Sequence, residues 1–321
     1  MKSIAFFNNK GGVGKTSVIY HLAWMFADLG KRVVLGDLDP RSNLTALCFK
    51  DEPFDKLYRS HSPGTIYTAI EPLKRGVGDL CFFDPVSVTE GLAIIPGDLL
   101  LSDFEDDLYA AWPRCLERDE RAFRITAAFH RVIRDSGARH GADIALIDTG
   151  PTFGALSRAA LIAADFVVIP VTADRLSLRG LGNVGLRLKS WREEWRERRN
   201  SAPAFDFALP SGCMRPIGYV VSLHSELAGA VTRIAQRWTV ELPSAYRAAV
   251  ESPQIPDSDL SLGRIKDYRS LIAMAQEARR PMFKLRPGDG AIGGHQGAVA
   301  AAYNDFEKLA REVAARIELD I

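Results

Sequence analysis

The chain has few cysteines and no long apolar run, and each shortage excludes a class of protein. Its 321 residues include four cysteines, which are too far apart for the paired spacing of a zinc or iron–sulfur site. We expect reduced, mostly buried thiols in a cytoplasmic protein. No apolar run approaches the ~20 residues that a membrane span needs, and the N-terminal segment has no secretory pattern. The cysteines are Cys48, Cys81, Cys115 and Cys213.

The sequence also lacks an excess of charge of either sign. Its 41 basic and 40 acidic side chains give a formal net charge of +1. A chain with this balance has no global field that attracts nucleic acid, so any such binding must come from local patches. The apolar and charged fractions, 47% and 25%, are those of a soluble globular protein.

A glycine-rich segment near the N-terminus carries the strongest chemical signal. It reads Asn9-Lys-Gly-Gly-Val-Gly-Lys-Thr16, follows the apolar run Ile4–Phe7 and precedes a stretch with helical spacing. Small residues let backbone N–H groups turn toward the oxygens of a triphosphate, and the helix start adds its positive dipole end. We expect Lys15 to reach the β- and γ-phosphates of a nucleotide and the Thr16 hydroxyl to bind Mg²⁺. The expected nucleotide-binding residues are Gly11, Gly12, Val13, Gly14, Lys15, Thr16 and Ser17.

Three aspartates lie at the ends of apolar runs. Asp37 and Asp39 close the run that begins at Val33, and Asp148 closes the run that begins at Ile144. The carboxyl ends of parallel strands form the ligand-binding edge of an open α/β sheet. Any one aspartate could simply cap a loop. The prediction of a shared site therefore depends on the presence of all three at the ends of predicted strands.

The order of apolar and amphipathic segments predicts the fold class. Strand-like runs alternate with helical patterns from Ile4 to about Val221. This order predicts an α/β fold, a mostly parallel twisted sheet with helices on both faces. We expect a single P-loop domain over residues 1–321, with an insertion around 196–214 and a C-terminal helical region over 225–321.

The segment from Lys10 to Thr16 resembles the deviant Walker A motif of the ParA/MinD family of P-loop ATPases. Four further segments resemble motifs of that family in its own order, and the resemblance covers almost the whole chain. They are residues 33–45 with their Asp-x-Asp-Pro, residues 92–105, residues 143–151 with a Walker B strand, and residues 163–171.

The resemblance implies a slow, partner-stimulated hydrolysis of ATP to ADP and phosphate, with ATP and Mg²⁺ bound. Lys10 would reach into the neighbouring subunit's site when two subunits enclose ATP, as an arginine finger does. Asp39 would position the attacking water, and Asp37 and Asp148 would hold the Mg²⁺ shell. The catalytic set implied is Lys10, Lys15 and Asp39, and the metal set is Thr16, Asp37, Asp39 and Asp148.

Two positions depart from the pattern of the family. Arg41 stands where many members have Gln, and it either adds a cation near the phosphates or the subunit seam or points to solvent. Arg158 lies in a helix where members often have Asn, so the nucleotide and interface contacts of that helix stay undefined.

Two basic segments bear on the choice of partner. Residues 176–200 combine an apolar stripe with basic side chains, which fits an ordinary surface helix or a helix that faces DNA or a partner. A second group near the C-terminus is either a solvated surface or the sequence-independent DNA-binding patch that the resemblance implies. This group comprises Arg264, Lys266, Arg269, Arg279, Arg280, Lys284 and Arg286.

The C-terminal helix separates two branches of the family. MinD-type members place a basic amphipathic helix on anionic lipid, whereas residues 303–321 hold five acidic and three basic side chains. Anionic lipid would repel such a helix, so we expect it to pack on the core and predict no membrane partner. The ParA branch fits better.

The predicted function is an ATP-dependent dimerising switch that binds nonspecific DNA in its ATP state and segregates or positions DNA or another cargo. The resemblance implies a homodimer, a ParB-like or other activating partner, and association with the nucleoid when ATP is bound. Two alternatives stay open. One is a MinD-like or cargo-positioning ATPase that acts on a protein or membrane partner, and the other is a metabolic P-loop ligase or kinase.

Overall fold

Parallel pairing of buried strands organises the structure, a computed structural model that describes residues 1–59, 64–224, 226–227, 230–231, 233–250 and 260–321. The strands are β1 (Lys2–Phe6), β2 (Val33–Leu38), β3 (Val86–Thr89), β4 (Leu92–Ile95), β5 (Ile144–Thr149), β6 (Phe166–Val171), β7 (Arg215–His224), β8 (Glu226–Leu227), β9 (Ala230–Val231) and β10 (Ser261–Lys266). Eight of them form one sheet in the order β10-β7-β6-β1-β5-β2-β4-β3, and β8 and β9 form a separate short pair. Within the described strands of the large sheet, β3 runs antiparallel to β4 and the other pairings are parallel. The predicted fold class is confirmed.

Helices cover both faces of the sheet. They are α1 (Lys15–Asp28), α2 (Asn43–Cys48), α3 (Asp51–Arg59), α4 (Ile66–Arg75), α5 (Glu105–Arg114), α6 (Glu120–Thr126), α7 (Ala128–His140), α8 (Ala155–Ile162), α9 (Arg175–Ser201), α10 (Arg233–Ala249), α11 (Ser270–Ala278) and α12 (Gly294–Ile317). Side chains alternate between the two faces along each strand. In β1 and the residue after it, Ile4 and Phe6 therefore join a core with α1 and α12, whereas Ala5 and Phe7 join a core with α4 to α9.

The apolar stripe predicted over residues 176–200 belongs to the core. Its five members in α9 are at most 3% exposed: Leu181, Val184, Leu188, Trp191 and Trp195. The helix continues to Ser201, so only residues 202–214 of the expected insertion lack regular structure. That segment is packed rather than extended into solvent, because the rings of Phe205 and Phe207 stack 4.9 Å apart against the core and Pro210 accepts a hydrogen bond from Trp195.

The C-terminal helical region expected over 225–321 contains α10, α11 and α12, and it also contains a strand of the large sheet. Strand β10 lies within it and pairs in parallel with β7. The sequence does not reveal this strand, because register shifts between Ser261 and Gly263 and between Arg264 and Lys266 interrupt the alternation of a regular strand. Part of this region, including 251–259, lies outside the described residues.

The last helix packs on the core, as predicted. Phe306, Leu309, Val313 and Ile317 of α12 are at most 1% exposed. Among the described residues, no helix combines the length and the apolar character needed to cross a membrane.

Close packing of α9 against α10 yields a test of the fold. A methyl group on Gly185 would overlap the carbonyl oxygen of Ala249, whereas one on Gly182, in the same helix, would meet no atom within 4 Å. We expect Gly185→Ala to destabilise the protein by roughly 1–3 kcal/mol, because neither helix can retreat without disturbing the core. Gly182→Ala should instead stabilise it by about 0.5–1 kcal/mol through helix propensity. Urea unfolding of both variants measures the difference, and equal stability would contradict this helix contact.

Candidate nucleotide-binding site

The glycine-rich loop leaves the start of α1 open to an anion. Gly12 and Gly14 have φ angles of +74°, and Gly14 precedes the helix without a side-chain cap or an acidic residue in the first turn. The first backbone N–H groups of a helix have no partner within it. A side chain built at Gly11 or Gly12 would meet no atom within 4 Å, so the loop borders open space. This is the arrangement that a phosphate group needs.

Lys15 and Thr16 both reach the end of β5. The Lys15 ammonium donates to the carbonyl oxygen of Thr149 and lies 3.5 Å from Oδ1 of Asp148. The Thr16 hydroxyl donates to Oδ2 of the same carboxylate at 2.6 Å. Asp148 Oδ1 is buried and has no hydrogen-bond partner in the described structure. The side chains of Lys15 and Thr16 and the Asp148 carboxylate therefore lie together at the end of β5.

Asp37 is buried beside Asp148 through the register of the sheet. The two residues are direct partners in the β2–β5 ladder, and neither side chain is exposed. Asp37 accepts hydrogen bonds from the backbone N–H of Thr45 at 2.8 Å and from its hydroxyl at 2.7 Å. Burial, reinforced by the charge of Asp148, raises the pKa of Asp37 to about 7. A methyl group on Gly97 would lie 2.8 Å from the Asp37 carboxyl carbon, so only glycine fits beside it.

Asp39 has a different environment from its two neighbours. Arg41 holds its carboxylate, with Nη2 2.6 Å from Oδ2 and Nε 3.2 Å from both oxygens. Burial opposes the charge of Asp39, but the hydrogen bonds and charge of Arg41 outweigh it, so the pKa of Asp39 falls below its ordinary value. Burial raises the pKa of Asp148, and the charge of Lys15 opposes that rise.

These oxygens fit a magnesium ion. A hard divalent cation prefers carboxylate, hydroxyl, phosphate and water oxygens. The bare Oδ1 of Asp148 and the clustered charge of Asp37, Asp39 and Asp148 suit such an ion. Within the described ranges no group of three or more His, Cys, Asp or Glu side chains could hold a metal alone. Thr16 and Asp148 would therefore hold Mg²⁺ together with water and phosphate oxygens.

Lys10 is held by the beginning of α9 and not by its own glycine loop. Its ammonium forms an ion pair with Asp174 and donates to the hydroxyls of Thr172 at 2.8 Å and Ser177 at 3.4 Å. The second oxygen of Asp174 caps α9, accepting from the N–H groups of Leu176 and Ser177 at 2.9 Å each. Asp174 was not among the predicted site residues, although an aspartate before a helical stretch is a recognisable cap.

Two further residues define the helix that follows the Walker B strand. Glu105 accepts from the N–H groups of Ala155 and Leu156, and so caps α8 from the neighbouring helix α5. Arg158 turns inward, with its guanidinium 4.0 Å above the ring of Trp112, and burial lowers its pKa to about 10. Arg158 thus has a packing role, whereas the sequence left its contacts undefined.

The seven basic residues proposed for DNA binding do not share one environment. Arg280 lies 3.5 Å from Asp289, and Lys284 pairs with Asp28 above the ring of Trp24. Arg279 ends α11 and is half-buried. The exposed members are Arg264 and Lys266 on β10, Arg269 before α11, and Arg286.

Comparisons with known proteins add a family match and named relatives. The AAA domain family model matches residues 1–200. Protein IncC of Escherichia coli is 28% identical over 280 residues, which cover 80% of this chain and 68% of IncC. The chromosome-partitioning ATPase Soj of Thermus thermophilus is 33% identical over 184 residues, which cover 57% of this chain and 60% of Soj. The chain therefore spans about two thirds of the length of these relatives.

Solved structures share the fold along its full length. The Corynebacterium diphtheriae protein DIP2308 has a TM-score of 0.74 at 22% identity, with 99% of each chain covered. An ATP complex of Cyanothece McdA has a TM-score of 0.66 at 16% identity, with 100% of this chain and 98% of that chain covered. At these identities the likeness shows the fold alone.

Lys15→Ala tests the assignment of the loop. The change removes the cation that opposes the buried Asp148 carboxylate and that should contact the nucleotide phosphates. We expect ATP affinity to fall at least roughly 30-fold, the loss typical for truncating one member of a buried charge pair. Calorimetric titration with ATP and Mg²⁺ gives the affinity, and Lys308→Ala, an exposed lysine of α12, is the control. Unchanged affinity in Lys15→Ala would contradict the assignment.

Proposed function

This chain is a member of the ParA/MinD family of P-loop ATPases, and on that premise we propose that it is an ATP-dependent dimerising switch. In its ATP state it binds DNA without sequence preference, and hydrolysis of ATP, stimulated by a ParB-like or other partner, releases it. The output is the segregation or positioning of DNA or another cargo in the cytoplasm, with association with the nucleoid in the ATP state. The observation that carries the proposal is a second lysine, Lys10, beside a phosphate site but bound to α9.

The site residues divide the work of hydrolysis. Lys15 and the loop N–H groups would bind the β- and γ-phosphates, and Thr16 with Asp148 would hold the metal. When bound, Mg²⁺ neutralises charge on the phosphate oxygens. Asp39 orients a water molecule toward the γ-phosphorus. The oxygen of that water forms the new P–O bond as the bond from the γ-phosphorus to the ADP oxygen breaks. ADP and inorganic phosphate result, and the two protons of the water pass to the inorganic phosphate and to solvent.

Lys10 completes the site of a second subunit. Within its own subunit its ammonium is occupied by Asp174 and Thr172, so its charge is directed to α9 instead of the loop. The pair is partly exposed, with 27% of Lys10 and 39% of Asp174 accessible. An exposed ion pair contributes only about 0.2–1 kcal/mol, so a partner's triphosphate can compete for the lysine.

Two segments lie around the expected position of the γ-phosphate, and they would couple the bound nucleotide, ATP or ADP, to the conformation of the protein. The Thr45 hydroxyl donates to Asp37 and accepts from the N–H of Gly97, which ties residues 39–45 to the end of β4. Glu105 ties the start of α8, after residues 148–153, to α5. Loss of the γ-phosphate would relax both segments, as in other nucleotide switches.

DNA is the preferred partner. Exposed basic side chains on β10 and before α11 provide phosphate contacts without base readout, and a chromosome-partitioning ATPase is among the relatives. The burial of the apolar face of α12 counts against the MinD-like alternative, because Phe306 and Leu309 are committed to the core and not available to lipid.

Lys10→Gln tests the role in the second subunit. The variant should bind ATP as the wild type does, because the Lys10 ammonium is held by Thr172 and Asp174 in the structure. Its hydrolysis should fall by up to roughly 10³–10⁵-fold, the range for a finger residue supplied by a neighbour. ATP titration and phosphate release measure the two effects, with Lys308→Gln as control. Wild-type turnover in Lys10→Gln would contradict this role.

Arg264→Glu with Arg269→Glu tests the DNA partner. Both side chains are exposed, so their reversal should leave the fold and the ATP-dependent dimer intact. We expect weaker DNA binding and a log–log salt slope smaller by about two, one for each lost phosphate contact. Arg75→Glu with Arg237→Glu makes the same charge change at exposed positions elsewhere. Equal DNA affinity in the two double variants would remove β10 and the start of α11 from the DNA surface.

A further inference from the structure

Arg41 controls the carboxylate that the proposed function assigns to the attacking water. Its guanidinium contacts both oxygens of Asp39, and its backbone N–H donates to Oδ1 at 3.1 Å. In the part of the chain that the structure describes, no other side chain hydrogen-bonds to this carboxylate. The orientation of the Asp39 carboxylate therefore depends on Arg41.

The arginine reaches this position from the surface. Asp39 is 2% exposed, whereas 56% of the Arg41 side chain is accessible. The guanidinium therefore lies at the mouth of the site, with the buried carboxylate below it. The Asp39 contact, together with the charges of Asp148 and Asp37, raises the pKa of Arg41, so the arginine lies within the electrostatic reach of all three carboxylates. Because Arg41 is more exposed than Asp39, a triphosphate from solvent can reach this cation.

We propose that Arg41 is a positioning residue for Asp39 and an electrostatic guide for ATP. The two-point contact fixes the carboxylate so that its remaining lone pairs face the attacking water, and the positive charge offsets repulsion between the acidic cluster and the triphosphate. This inference rests on the proposed function, because orienting Asp39 matters only if the protein hydrolyses ATP.

The two contributions depend on different properties of arginine. Orientation requires the planar fork, since two parallel N–H groups hold a carboxylate in one plane. Electrostatic guidance requires only a positive charge, which lysine also carries as a compact ammonium without the fork. Glutamine, the residue common in the family, has neither property. Arg41→Lys and Arg41→Gln therefore separate the two effects.

Steady-state ATP hydrolysis and equilibrium binding of a nonhydrolysable ATP analogue test the inference. In Arg41→Gln we expect kcat to fall about 10–100-fold, as misplacement of a catalytic group predicts, and analogue binding to weaken. In Arg41→Lys analogue affinity should return to the wild-type value while kcat stays low. A loss of packing alone would not split kcat from affinity in this way.

The control is Arg311→Gln, which removes another arginine–carboxylate pair, with Glu307, on the surface of α12. It should hydrolyse and bind as the wild type does. An unchanged or raised kcat in Arg41→Gln would overturn the inference, and so would a wild-type kcat in Arg41→Lys. If the wild-type protein itself released no phosphate from ATP, the proposed function would fail, which is a separate and visible outcome.

Discussion

Burial of like charges at one edge of the sheet is the constraint on which the site depends. The β2–β5 register sets Asp37 directly beside Asp148, and both lose contact with solvent. Burial raises the pKa of both carboxyls, and the charge of Asp148 raises that of Asp37 further, so the two cannot both ionise without compensation. Lys15, Thr16 and Thr45 supply part of that compensation. A bound metal ion would supply the rest, so the folded chain holds these carboxylates in place for a cation.

Each cation of the site is held by a carboxylate of the same chain. Lys15 forms an ion pair with Asp148, Arg41 with Asp39, and Lys10 with Asp174. ATP would therefore replace these ion pairs with its own. The net free energy of binding would be smaller than the number of new contacts suggests. The exposed Lys10 pair exchanges at little cost, whereas separating the buried Lys15 pair costs several kcal/mol. Under the proposed function, this difference would let Lys15 stay in its own site while Lys10 serves a neighbouring subunit.

The features that could be predicted from the sequence are those that short-range sequence patterns encode. The glycine loop, the strand-end aspartates and the α9 stripe each follow from the spacing of a few neighbouring residues. Contacts between residues that are distant in the sequence leave no such local pattern. Nothing near Glu105 reveals that it caps α8, and β10 was hidden by its register shifts. The open question at Arg41, cation near the site or solvated side chain, is settled by its contact with Asp39. The contact between Arg41 and Asp39 depends on the backbone conformation of the turn after β2.

The proposed role of Lys10 in the partner subunit can be separated from a role in its own subunit by mixing two inactive variants. Lys10→Gln lacks the lysine, and Asp39→Ala lacks the carboxylate that orients water. In a mixed dimer, the Lys10→Gln subunit keeps its own Asp39 and receives an intact Lys10 from its neighbour. Random exchange would then restore about a quarter of wild-type phosphate release, since half of the dimers are mixed and one site in each is complete. If Lys10 acted within its own subunit, every site in the mixture would lack one group, and the mixture would be as inactive as either variant alone.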